Sequence, residues 1–164
     1  VLGKKIKLHL KSFLQLNPEQ MEVLYKKVIE LANFKETEVV WDLYAGIGTI
    51  AMSICGDVKE VIACEEVPEA VENGKENLKK NKINNIEINE GRVEEQVKEM
   101  KTNPDTVIID PPRKGCERAV IEGIIKANPK KVIYISCNPQ SLVRDLQILQ
   151  KNRYEIQENQ NQQK

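Results

Sequence analysis

The runs Val39-Val40-Trp41, Val61-Ile62-Ala63-Cys64, Val107-Ile108-Ile109 and Val132-Ile133-Tyr134-Ile135 are apolar at every position, and each breaks off close to a polar side chain. A strand with one face in water alternates apolar and polar residues, so strands of this kind are buried on both faces. Stretches of helical pattern separate them. A chain that alternates strand and helix in this way builds a parallel sheet covered by helices on both sides. The fold class is therefore α/β, a doubly wound and mostly parallel sheet.

Taken in order, Lys5 to Leu10 alternate charged and apolar residues as a short first strand, and Asn17-Pro18 is a cap-and-first-turn signal. It opens a helix to about Ala32 with Met21, Leu24, Val28 and Leu31 on one face. Further strands are expected at Glu38 to Tyr44, Val61 to Cys64, Ile86 to Ile88, Thr106 to Ile109 and Val132 to Ile135. The helices between and after them run to about Cys55, from Pro68 to about Asn81, from Arg92 to Lys101, from Glu117 to Ala127 and from Pro139 to Asn152. Gly74 weakens the helix that starts at Pro68. Right-handed crossovers bring the carboxyl ends of all strands to one edge of the sheet. On that edge the sequence places Asp42, Tyr44, Glu65, Asp110 and Cys137.

Cys137 follows a buried strand and precedes Asn138, a good helix cap, and Pro139, which suits a first helical position. The partial positive charge of a helix start favours a thiolate, so a nucleophile is a physically reasonable role. The alternative is a small buried apolar residue.

A chain of 164 residues has length for one core. One domain is expected over 1–156, with an N-terminal strand and helix within 5–33, followed by a polar, low-complexity and disordered tail at 157–164. Acidic and basic residues cancel to zero net charge, so any polyanion would have to be held by local patches. No apolar run can span a bilayer and the start, Val1 to Lys7, has no signal-peptide segment, so a soluble, cytoplasmic monomer with no membrane partner is expected. Cys55, Cys64, Cys116 and Cys137 form no CxxC pair and have no histidine cluster beside them, which excludes a zinc site of the usual spacing; no metal is expected. The only histidine, His9, sits between Leu8 and Leu10 and reads as a strand residue.

The stretch Asp42-Leu43-Tyr44-Ala45-Gly46-Ile47-Gly48 lets backbone approach a ligand closely at a strand end, and Glu65 at the end of the next strand can accept from ribose hydroxyls. Gly46-Ile47-Gly48-Thr49-Ile50-Ala51 also satisfies a dinucleotide pattern, so a nicotinamide cofactor competes on this motif. Two features favour S-adenosylmethionine. Asp42, before the glycines, can hold an ammonium directly or through water where a pyrophosphate would be repelled. Asp110-Pro111-Pro112 sets a carboxylate on a rigid turn, which fits a reaction centre better than a nicotinamide slot.

Three motifs now stand in order: Ser12-Phe13-Leu14-Gln15-Leu16-Asn17, then Asp42 to Gly48, then Asp110-Pro-Pro-Arg113 with Ser136-Cys-Asn-Pro139 and Arg144-Asp145. Together they resemble the catalytic domain of the RNA 5-methyluridine methyltransferases, the S-adenosylmethionine-dependent uracil-C5 enzymes of transfer and ribosomal RNA, over about Ser12 to Tyr154. The resemblance implies a class I S-adenosylmethionine-dependent methyltransferase (Rossmann-like) sheet that could lack its last strand. It implies that Gln15, Tyr44, Glu65 and Asp110 line the cofactor pocket with Asp42, Gly46 and Gly48, and that Cys137 is the nucleophile with Asp110 shaping the site. A thiolate adding to carbon 6 of uracil makes carbon 5 nucleophilic enough to take a methyl group. The uridine would be unstacked to reach it. Arg113, Lys114 and Arg118 would meet RNA phosphates at the rim, or else be ordinary solvated charge. Ribosomal RNA is favoured slightly over transfer RNA.

Ala45 stands where the family often has cysteine, a small-for-small change. The family continues past the segment matching Tyr154 to Gln157 into a Phe-Pro…His-hydrophobic-Glu motif that carries its proton-removing base, and no counterpart is present here. Its upstream RNA-binding parts are also absent, so cofactor binding with poor turnover is expected. The competing readings are a methyltransferase for an exocyclic base nitrogen, although Arg113 stands where such sites want an aromatic residue, and a nucleoside- or RNA-binding module without chemistry.

Overall fold

The computed structural model describes residues 4–10, 18–136 and 138–161. Its elements are β1 (Lys4–Leu10), α1 (Pro18–Ala32), β2 (Val39–Leu43), α2 (Thr49–Ile54), β3 (Glu60–Glu65), α3 (Pro68–Lys80), β4 (Ile86–Glu90), α4 (Val93–Glu99), β5 (Thr106–Ile109), α5 (Arg118–Ala127), β6 (Lys131–Ser136), α6 (Pro139–Lys151) and β7 (Tyr154–Asn161). The expected strands and helices are present with ends within a few residues of those read from sequence. The segment 11–17, which holds Gln15, and position 137 lie outside the described residues.

The strands make one sheet of order β4-β3-β2-β5-β6-β1-β7, and every pairing in it is parallel. The apolar runs explain this. On β2, Val40 joins Leu24 and Val28 of α1 and Ile50, Ala51 and Ile54 of α2, whereas Trp41 and Leu43 join Val93 and Val97 of α4, Val120, Ile121 and Ile124 of α5 and Leu142, Leu146 and Leu149 of α6. Strand period two therefore feeds two cores, one on each face of the sheet. Ala63 and Ile88 pack with Val71 and Leu78 of α3 on the α1/α2 side. Each fully buried Leu or Ile contributes about 1.5–3 kcal/mol, so the two faces together hold most of the stability.

Local chemistry sets the helix ends. The Asn138 side chain accepts from the Gln140 N–H at 3.0 Å and Pro139 follows it, as the cap reading expects. Asn128 ends α5 in the left-handed conformation at φ 58°, its N–H donating back to Ile124 O, and Pro129 prevents continuation. At the amino edge of the sheet Asp105 accepts from the Val39 N–H at 2.8 Å, while Glu38 accepts from the Thr106 hydroxyl at 3.1 Å and pairs with Lys131. Those charges join β2, β5 and β6 at the end away from the candidate site.

One expectation is corrected. The sequence reading assigns 157–164 to a disordered tail, but the backbone as far as Asn161 is β7, pairing with β1 through a register shift at Ile6/Lys7. A polar composition argues against burial, yet an edge strand needs only the backbone ladder of its neighbour. With β1 between β6 and β7 the described sheet has seven strands.

Candidate active site

Strand order runs outward from β2 through β3 to β4 on one side and from β5 through β6 on the other. The order in which strands are added therefore reverses between β2 and β5, and the crevice beyond their carboxyl ends is where open α/β sheets bind ligands. Asp42 is the next-to-last residue of β2, Glu65 the last of β3, and Asp110 follows β5, its N–H donating to Leu43 O at 3.3 Å. By alternation Asp42 shares the face of Val40, Glu65 that of Ala63, and Asp110 that of Ile108, all packed on the α1–α3 side. Three carboxylates thus converge on one face of one edge.

Asp42 is completely buried, and among the described residues neither carboxylate oxygen has a hydrogen-bond partner in good geometry. Burial is the main cause that pushes its carboxyl up to about 8, with Asp110 adding repulsion and the Ala51 backbone at the start of α2 opposing it. At neutral pH the free protein holds Asp42 protonated. A cation brought between Asp42 and Asp110 would ionise it.

Glu65 is anchored by backbone. One carboxylate oxygen accepts from the Gly46 N–H at 2.6 Å and the other from the Glu66 and Val67 N–H groups at 3.0 and 3.1 Å. A carboxylate has about four acceptor positions, so one remains beside Gly46 for a hydroxyl. Tyr44, Gly46 and Gly48 all have positive φ, at 62°, 60° and 87°. That path folds the loop after β2 back so that the Ala45 N–H reaches Cys64 O at 3.0 Å and Gly48 caps α2. A non-glycine residue at positive φ is strained, and the Tyr44 hydroxyl is held by Cys116 and the Glu117 backbone. Its pKa is raised, chiefly by burial.

The sequence reading missed Tyr25 and the role of Gly74. Tyr25, half-buried on α1, hydrogen-bonds the Thr49 side chain and lies close enough to Asp110 and Asp42 for both to raise its pKa, though burial raises it more. Its one sequence signal is its place at the margin of the apolar face of α1. A Cβ on Gly74 would stand 2.7 Å from Ile47 O and 2.7 Å from Ile88 Cδ1, so this glycine lets α3 close on the loop after β2.

Of the three basic residues expected at the rim, Lys114 pairs with Glu117 and Arg118 with Glu122, both in exposed pairs, and Arg113 is exposed. Carboxylates compete with phosphates at two of these positions. Gln15 and Cys137 lie outside the described residues, but the neighbours of position 137 are well tied. The Asn138 N–H donates to the Ser136 hydroxyl at 3.1 Å, that hydroxyl donates to Asn138 O at 3.0 Å, and the Asn138 amide donates to Arg113 O at 2.8 Å. The sequence segments around Asp110 and Cys137 are therefore brought together.

Two cavities of about 460 and 410 Å³ open elsewhere, one lined by Glu87, Asn89, Gln96 and Lys101, the other by Trp41, Lys98, Glu122 and Lys126. Neither contains Asp42, Glu65 or Asp110, and no group of three potential metal ligands occurs among the described residues. No helix among them is long and apolar enough to cross a membrane.

The family model for tRNA (uracil-5-)-methyltransferase matches residues 3–159. Among curated relatives, an RNA methyltransferase of Oceanobacillus iheyensis is 43% identical over 151 residues, which is 90% of this chain and 33% of the relative. One from Clostridium acetobutylicum is 42% identical over 157 residues, 94% of this chain and 34% of the relative. The chain spans about a third of the length of these relatives. The tRNA (uracil-54, C5)-methyltransferase of Pyrococcus abyssi, solved in complex with S-adenosyl-L-homocysteine, superposes with a TM-score of 0.71 at 29% identity over 84% of this chain and 33% of that one.

Proposed function

Because the chain belongs to the tRNA (uracil-5-)-methyltransferase family, we propose that it is the cofactor-binding and catalytic part of an RNA methyltransferase that methylates carbon 5 of a uridine in ribosomal or transfer RNA. The observation that carries this reading is the convergence of Asp42, Glu65 and Asp110 on one face of the sheet edge at its switch point.

The residues there suit S-adenosylmethionine. The buried Asp42 carboxyl, whose oxygens make no good hydrogen bond among the described residues, would ionise beside a cation, and this cofactor carries a sulfonium and an ammonium. Glu65 keeps an acceptor position for a ribose hydroxyl, and the backbone of Gly46 to Gly48 gives a close approach without a side chain at two of its positions. A nicotinamide dinucleotide would bring a pyrophosphate against this cluster of acids, which disfavours it. When bound, S-adenosylmethionine supplies an electrophilic methyl group.

The chain's own residues supply the activation. The Cys137 thiolate forms a bond to carbon 6 of the uracil, the carbon 5–carbon 6 π pair becomes the carbon 4–carbon 5 π bond and the carbonyl π pair moves onto the oxygen at carbon 4, an enolate that is nucleophilic at carbon 5. Once a general base takes the proton from methylated carbon 5, the pair of that C–H bond re-forms the carbon 5–carbon 6 double bond and the thiolate leaves with the pair of the carbon–sulfur bond. Cys64 and Cys116 do not compete as nucleophiles, since burial foremost pushes each thiol up to about 12. Asp110 borders the site on its rigid Pro111-Pro112 turn.

The test is covalent trapping with RNA carrying 5-fluorouridine, whose carbon 5 cannot release fluorine as it would a proton. A cofactor-dependent adduct that survives denaturation and is lost in Cys137→Ala is the expected result. Methyl transfer to a base nitrogen that persists in Cys137→Ala would overturn the uracil-C5 assignment.

A further inference from the structure

On the α4–α6 side of the sheet a buried polar network has no part in holding the cofactor or attacking a base. Asp145 on α6 is 1% exposed. One of its oxygens accepts from the Tyr134 hydroxyl and, at 3.0 Å, from the Cys116 N–H, and the other accepts from Arg144 Nε at 3.2 Å. The same guanidinium donates to Lys114 O at 2.8 Å and to Cys116 O at 3.2 Å. Closer to the start of α6, the Ser141 hydroxyl and the Asn138 amide both donate to Arg113 O, at 2.9 and 2.8 Å. One helix therefore holds the backbone of Arg113, Lys114 and Cys116. Between them Gly115 has φ 82°, and a Cβ there would stand 2.5 Å from the Arg144 guanidinium and 2.8 Å from the Asp145 carboxylate. The network also reaches the ligand loop, because the Cys116 thiol lies between the hydroxyls of Tyr134 and Tyr44.

This loop starts at the Asp110 turn, and the helix that holds it starts two residues after Cys137. We propose that Arg144 and Asp145 are positioning residues that lock the Pro112–Cys116 loop onto α6 and so set how the Asp110 turn sits against the start of α6 at Asn138, the segment that follows the nucleophile in sequence. The inference rests on the reading of Cys137 as the nucleophile. Arg144 is suited to the task because a planar fork serves one carboxylate and two carbonyls at once, which a lysine ammonium on a flexible stem does not reproduce.

The experiment compares Arg144→Ala, Arg144→Lys and Asp145→Asn in the 164-residue chain by two measurements. Hydrogen exchange followed by mass spectrometry should show the segment around Gly115 and Cys116 exchanging about tenfold faster or more, with β2 and β5 unchanged. Adduct formation with 5-fluorouridine RNA should slow about tenfold at saturating RNA while the half-saturating concentration stays within about twofold, and Arg144→Lys should recover part of the rate. A saturating rate equal to the parent's, or unaltered loop exchange, overturns the proposal. Should the parent chain form no adduct, the role of Cys137 fails and takes the positioning of Cys137 with it, whereas the exchange comparison still decides whether α6 holds the loop. Arg144 is half-exposed, so its variants carry the test if Asp145→Asn fails to fold.

Discussion

A fully buried carboxyl group whose oxygens find no good hydrogen bond is a liability in the free protein, and among the described residues Asp42 is such a group. Its folded value of about 8 lies above the ordinary 3.8, so between those limits the unfolded chain is ionised while the folded one keeps its proton. Stability of the free chain should therefore decline as pH rises through that window, by up to about 1.4 kcal/mol per unit, and level off above it. Asp42→Asn should flatten this decline, which denaturant melts between pH 5 and pH 9 will reveal. A cationic ligand favours the ionised form, so S-adenosyl-L-homocysteine, through its ammonium, should displace a proton from Asp42 at pH 7. Calorimetric titrations in buffers of different ionisation enthalpy should detect that proton with the parent chain and a smaller release with Asp42→Asn. Equal proton release by the two proteins would mean that Asp42 does not respond to the ligand. Glu65 shows the opposite design, a carboxylate satisfied by three backbone N–H groups. Glu65→Gln should cost about 1.5–3 kcal/mol in a melt, because an amide nitrogen replaces an acceptor facing those donors.

At α3 the glycine that the helical pattern counts as a weakness is what lets the element meet the Ala45–Gly48 loop. Replacing Gly74 with alanine gains about 1 kcal/mol of helix propensity. The added Cβ would nonetheless stand 2.7 Å from Ile47 O, which is backbone and cannot swing aside. Overlap of this kind costs about 1–3 kcal/mol, so the net effect should be destabilising, with cofactor affinity reduced because the Ala45–Gly48 loop is displaced. Gly56→Ala serves as the control, since nothing lies within 4 Å of its added Cβ. A Gly74→Ala chain as stable and as tightly binding as the control would refute this account of the α3 contact.

Across the molecule, helices α1–α3 and α4–α6 clamp a sheet whose carboxyl edge carries Asp42, Glu65 and Asp110 on one face and the Arg144–Asp145 network on the other. Because the ligand loops end strands that run through both cores, occupancy of the edge should be felt by the whole fold. S-adenosyl-L-homocysteine at a hundred times its Kd should stabilise the chain by about 2.7 kcal/mol. For a chain of this size that corresponds to roughly 5–10 °C in Tm. NAD should leave Tm unchanged, and an equal shift with NAD would return the glycine motif to the dinucleotide reading.

The doubly wound sheet was legible before any coordinates, because runs such as Val61 to Cys64 and Val132 to Ile135 are apolar at every position, a local property of strands buried on both faces. The edge positions of Asp42, Glu65 and Asp110 followed from the same pattern, since each carboxylate stands where an apolar run stops. What the linear order could not supply was contact across elements: the burial of Asp42 beneath Tyr25 and α2, the closeness of Gly74 to Ile47, and the hold of Arg144 and Asp145 on a loop some thirty residues upstream. Nor could composition foresee β7, because a Gln- and Asn-rich segment becomes a strand through the backbone groups of β1, which no side chain encodes. Periodicity is written residue by residue, whereas desolvation and close approach exist only once distant segments share a volume.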